Sequence, residues 1–153
     1  MAENNIRFNH LDKSITLFNL GVGSTQGDKV LFLSEQNTGG HSIYGHKDQK
    51  QKKIRIVSLK DIFTENNLAT CSFLKLDCEG AEFEILYSTN EEILKRIKTI
   101  TLEFHESPGT RSVEELRAFL ERNGFQCFVN MEVPRLGYLY AEAREWTSED
   151  FTR

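Results

Sequence analysis

The stretch FLKLDCEGAEFEIL, Phe73–Leu86, decides how this chain is read. An apolar run ends abruptly at Asp77-Cys78-Glu79-Gly80, and a helical pattern follows with Glu82 and Glu84. A short apolar run closed by a polar turn predicts a strand, and apolar residues on both faces place it in the middle of a parallel sheet. The acids at its end have two readings. Asp77 can cap the helix, with Lys75 on the same strand face as an ion-pair partner, while Glu79 and Glu82 complement the helix dipole. Alternatively the acids face a ligand, since open α/β sheets bind ligands beyond the carboxyl ends of their strands. Glu84, deeper in the helix, is expected on a solvated face.

Working outward, KTITLEFHE is the next strand, and Glu103 and His105 at its end are two residues apart, so both point to one face. If this strand neighbours the first, Asp77, Glu79, Glu103 and His105 approach one another at one rim of the sheet. SVEELRAFLERNGF is a helix: Ser112 and Glu115 form a capping box, Val113, Leu116, Phe119 and Leu120 form the apolar stripe, and Gly124 stands at the left-handed C-terminal position. FQCFVNMEV and GYLYAEAR, separated by Pro134 to Gly137, predict an antiparallel hairpin. Upstream, Ser58 and Asp61 open a short helix. DKVLFLSE and KKIRIVSL are two strands flanking a Gly-rich polar loop, and SITLFNLGVGS, Ser14–Ser24, is a further strand. The alternation from Ser58 onward predicts an α/β sheet, mostly parallel, with an antiparallel edge.

A length of 153 residues suits a single domain, residues 1–153, and 39% hydrophobic with 27% charged residues describe a globular chain with a core. A net charge of −4 without a basic, aromatic-studded stripe excludes nucleic acid as the expected partner. The one basic cluster, Lys47 to Lys53, is expected to be a solvated loop or hairpin tip. Three cysteines with no C-x-x-C pair support neither a disulfide framework nor a zinc site; reduced thiols and a cytoplasmic location are the expectation. No apolar run is long enough to cross a bilayer, so no membrane partner is expected.

Several ordered segments together resemble the FkbM-type methyltransferases. FLKLDCEGAEFEIL is similar to the family's K-I-D-x-E-G-x-E segment through Lys75, Asp77, Glu79, Gly80 and Glu82. ITLFNLGVGS resembles its v-x-N-x-A-x-G segment, with Gly21 in place of alanine; QNTGGHS its n-x-G-g-x-S loop; VSLKDIF its t-L-D-d-l, with Lys60 where an acid is common; and ITLEFHE its v-E-x-H strand. The resemblance implies a class I methyltransferase fold with a Rossmann-like sheet, S-adenosylmethionine as cofactor, and O-methyl transfer to a hydroxyl of a small molecule or sugar. It further implies that Asn19, Leu20, Gly21 and Val22 meet the cofactor and that Asp77 lies where cofactor and acceptor meet. Asp77, Glu79, Glu103 and His105 are then the catalytic candidates, one of them serving as base for the hydroxyl.

The chain departs from the family at its start. AENNIRFNHL resembles the helix after the family's second strand, while the V-x-D-x-G-A-N-x-G turn and the ribose-binding acid are not in this sequence. The expectation is therefore a C-terminal portion of the domain, lacking the first two strands, with coding sequence for them upstream. Such a chain would present unpaired sheet edges capable of self-association. A non-catalytic interaction module is the alternative function, and a metal-dependent hydrolase built on Asp77, Glu103, His105 and Glu106 a third.

Overall fold

The computed structural model describes residues 2–34, 41–43, 50–106 and 112–147. The centre of the Gly-rich loop, residues 36–40, and the start of the basic cluster, residues 47–49, lie outside the described residues. Elements follow in the order α1 (Ala2–Phe8), β1 (Gly21–Val22), β2 (Gly27–Leu33), β3 (Lys50–Val57), α2 (Leu59–Glu65), β4 (Leu74–Leu76), α3 (Glu82–Ser88), α4 (Glu91–Lys95), β5 (Thr99–His105), α5 (Val113–Arg122), β6 (Phe125–Val133) and β7 (Leu136–Ala143).

The expected α/β mixture is present, but divided into two sheets. Three strands form a sheet ordered β1-β3-β2, and four form a second ordered β4-β5-β7-β6. Only β1–β3 and β4–β5 pair in parallel; β2–β3, β5–β7 and β6–β7 are antiparallel. The mostly parallel sheet is thus corrected, because each sheet carries a hairpin and hairpins pair antiparallel. β4 is also corrected from a central to an edge strand: among the described residues it pairs with β5 alone, and Phe73 before it is 61% exposed.

The predicted strand from Ser14 to Ser24 shrinks to β1. Residues 15–20 form no strand, and Ile15, Leu17, Phe18 and Leu20 stay 40–54% exposed. A strand is stabilised by a neighbour that takes its hydrogen bonds and covers one face, and among the described residues only Gly21 and Val22 have one, β3.

The core lies on one face of the four-stranded sheet. β5 alternates strictly, with Ile100, Leu102 and Phe104 buried and Thr99, Thr101, Glu103 and His105 half-buried on the opposite face. Leu116 and Leu120 of α5, Ile85 and Leu86 of α3, and Leu94 and Ile97 close over the inner face. Both predicted capping boxes form, Ser58 with Asp61 and Ser112 with Glu115. Gly124 ends α5 at φ +91°, the left-handed region that glycine occupies without a Cβ penalty. The β6–β7 hairpin closes over Pro134 and Arg135. On the outer face the paired Phe128 and Tyr140 remain 62% and 48% exposed.

Candidate active site

The parallel register sets Leu76 beside Leu102, so the chain leaving β4 runs along the carboxyl end of β5. Four residues carry it from Asp77 to Gly80 before α3 begins. Glu79 adopts φ +53° and Gly80 φ +102°, two successive left-handed residues that turn the chain sharply. For a non-glycine residue this conformation costs roughly 1–2 kcal/mol, so surrounding contacts must hold it.

The turn brings three of the four predicted catalytic residues together. His105 Nε2 lies 3.6 Å from Glu79 Oε2 and 3.7 Å from Glu103 Oε1. These distances are close enough for charge interaction and too long for hydrogen bonds. All three side chains are about a third exposed, at 27–32%, so the cluster is reachable from solvent. Asp77 stands apart. It pairs with Lys75 at 3.2 Å, both largely solvated, an interaction typically worth about 0–1 kcal/mol. It does not cap α3, whose N-terminal residue is Ala81 with no side-chain cap.

The other acids depart from expectation. Glu82, expected to complement the helix dipole, is fully buried, and accepts hydrogen bonds from the backbone N–H of Cys78 at 2.6 Å and of Gly80 at 3.0 Å. Burial pushes its carboxyl above the usual range, opposed by the backbone N–H donors and the charge of His105. Glu84, expected in solvent, accepts from the Ser24 hydroxyl and pairs with Lys29 at 3.0 Å, tying α3 to the three-stranded sheet. Glu106 of the hydrolase reading caps α5 instead, accepting from the N–H of Val113. Among the described residues no group of three or more His, Cys, Asp or Glu is placed to hold a metal ion. Burial also raises the Cys78 thiol, which argues against a thiolate nucleophile at the turn.

Tyr138 was not among the sequence candidates. It lies opposite Glu103 across the β5–β7 ladder, and the charges of Glu103 and then Glu132 raise its phenol above its ordinary value. The hairpin pattern was legible; the β5–β7 register that aligns Tyr138 with Glu103 is a non-local pairing that no local sequence pattern announces.

Asn19 and Leu20 are exposed and outside any strand, and Gly21 and Val22 form β1 on the other sheet. A Cβ at Gly21 would lie 3.0 Å from Ile54 Cδ1, and one at Gly23 would lie 2.8 Å from Ile56 Cγ2. These glycines answer a packing need against β3 rather than opening a cradle for a ligand. Two cavities among the described residues lie away from the turn after β4, one between α4, the end of α5 and the end of β7, the other beside Ala69 and Arg96. The expected cofactor contacts are therefore divided among the described residues, Asn19–Val22 beside β3 and Asp77 at the end of β4.

No curated protein and no solved structure matches the chain. A family model described as the methyltransferase FkbM domain matches residues 2–127, from α1 through the rim acids and α5 into β6. With the K-x-D-x-E-G-x-E turn and the Glu103–His105 strand both inside that span, the chain belongs to the FkbM methyltransferase family.

Proposed function

We propose that this chain serves methyl transfer to a hydroxyl of a small molecule or sugar, with His105 as the base that takes the hydroxyl proton. The observation that carries the reading is the placement of His105 Nε2 between the carboxylates of Glu79 and Glu103. A hydroxyl attacking a methyl carbon must lose its proton, and an imidazole is suited to accept it near neutral pH. The two carboxylates stabilise the imidazolium that forms, and neither is hydrogen-bonded to Nε2, which leaves that nitrogen open to an incoming oxygen. Tyr138, beside Glu103, is in place to bind the acceptor's oxygens. S-adenosylmethionine is the donor that family membership suggests. The parallel β4–β5 pair followed by antiparallel β7 and β6 supports a class I, Rossmann-like sheet for this half of the chain.

The test is methyl transfer from radiolabelled S-adenosylmethionine to a panel of sugars and small alcohols, with the intact protein and its His105→Gln variant. The reading expects a loss of about a hundredfold or more in the variant, the usual share of a general base. Equal rates would refute His105 as the base.

A second reading, a non-catalytic module that pairs with another copy of itself, is favoured by the open edge of β4 and by the exposed Phe73, Phe128 and Tyr140. Light scattering at micromolar concentration tests it: a dimer weakened by Phe73→Glu supports this reading, and a monomer at every concentration removes it.

A further inference from the structure

Glu82 spends a buried carboxylate on two peptide groups that do not belong to its own helix. A helix cap would satisfy N–H groups of the first turn of α3. Besides its own backbone N–H, Glu82 accepts from Cys78 and Gly80, both before the helix, with one oxygen each. The residue between those two amides is Glu79, which is held at φ +53°. The Glu79 carbonyl is held in turn by the Ser42 hydroxyl at 2.9 Å, and its carboxylate faces His105. A buried carboxylate is costly unless its lone pairs are filled. Filling them with the two amides that flank one strained residue fixes that residue's conformation.

We infer that Glu82 is a positioning residue: by bridging the amides of Cys78 and Gly80 it holds Glu79 in the left-handed turn that presents its carboxylate to His105. The functional consequence rests on the reading of His105 as base; the positioning itself does not. Glu82→Gln offers a single acceptor oxygen and turns an amide NH2 toward a second N–H. Glu82→Asp keeps the charge but is one methylene too short to span both amides. In either variant Glu79 is expected to leave His105.

The test uses NMR of the full chain. In the wild-type protein, scalar coupling across the hydrogen bonds should connect the Glu82 carboxylate carbon to both the Cys78 and Gly80 amide nitrogens; absence of either coupling overturns the inference without any variant. In Glu82→Gln and Glu82→Asp, amide exchange at Gly80 should accelerate at least about tenfold, as expected for loss of a hydrogen bond to a charged acceptor. The His105 ring signals at fixed pH should move as they do in Glu79→Gln. The double variant Glu79→Gln/Glu82→Gln should move them by clearly less than the sum of the two single displacements, the small excess over Glu79→Gln alone being the direct charge of Glu82 on His105. Additive displacements would show that Glu82 acts on His105 through its own charge, and unmoved ring signals in both Glu82 variants would show that it does not act at all; either overturns the proposal. Because no readout involves methyl transfer, an active His105→Gln enzyme would refute the base while leaving Glu82's role standing.

Discussion

Gly137→Ala tests whether the strand packing behind the candidate site depends on a missing side chain. Gly137 pairs with Phe104 on one side and Met131 on the other, next to the β6 irregularity between Met131 and Val133. A Cβ there would lie 2.2 Å from the Asn130 carbonyl oxygen, 2.9 Å from Met131 Cα and 2.9 Å from Phe104 Cζ. Two of these atoms are backbone of a paired strand, and the third belongs to a fully buried ring, so none can move alone. Overpacking of this kind costs about 1–3 kcal/mol, and the upper end applies where backbone must shift. The reduced freedom of the unfolded chain returns about 0.4–1 kcal/mol. The net is about 2 kcal/mol of destabilisation, which for a chain of this size lowers Tm by about 4–8 °C. Urea and thermal unfolding followed by circular dichroism measure it. Gly27→Ala is the control, because nothing lies within 4 Å of its added Cβ, and its stability should stay within about 0.5 kcal/mol of wild type. A Gly137→Ala protein as stable as that control would refute the close-approach argument.

Three further outcomes follow from named groups. Glu84→Ala should lower stability more than Asp77→Ala, because Glu84 holds Ser24 and Lys29 across 60 and 55 residues of chain; melting measurements that reverse this order would count against the assignment. Titration calorimetry of the chain with S-adenosylmethionine should show binding weaker than micromolar, since the family's glycine-rich turn and ribose-binding acid are not in this sequence, and a micromolar constant at one site per chain would contradict that. Burial, and then the charge of Glu121, raise the Cys127 thiol from 9.0 to about 11. The fold therefore favours the neutral thiol: its contribution is full below pH 9 and is lost as pH rises toward about 11. Cys127→Ala should show a shallower stability loss over that window in urea titrations, and parallel curves for the two proteins would refute it.

What the sequence revealed was local. Ser58 with Asp61, and Ser112 with Glu115, act over one helical turn, and Gly124 acts at one peptide, so their residue types alone announce them. The alternation of β5 was equally plain, because a strand with one packed face writes its period into the sequence. The failures were all non-local. Ile15 to Leu20 read as a strand, but a strand exists only with a neighbour, and the pairing that would supply one is not encoded in those residues. Glu84 read as solvated because its partners Ser24 and Lys29 lie far away in the chain. Glu82 read as a dipole complement because nothing in E-G-A-E shows that Glu79 turns left-handed and brings two amides back onto it.

The three carboxylates crowded at the end of β4 therefore divide into distinct tasks, and burial does the dividing. Asp77, still on the strand's outer side, stays in water with Lys75. Glu82, one helical residue in, points to the core and can be tolerated there only because two amides reach its oxygens. Glu79 lies between them in the left-handed turn, and its side chain is swung over the end of β5 toward His105. Exchange of any two would fail for a physical reason: a carboxylate at position 77 has no amides to bury it, and one at 82 cannot reach His105 without leaving them. The order acid, turn, acid is thus fixed by the geometry of leaving a strand and entering a helix within four residues. That constraint ties the family's motif to the carboxylate that faces His105.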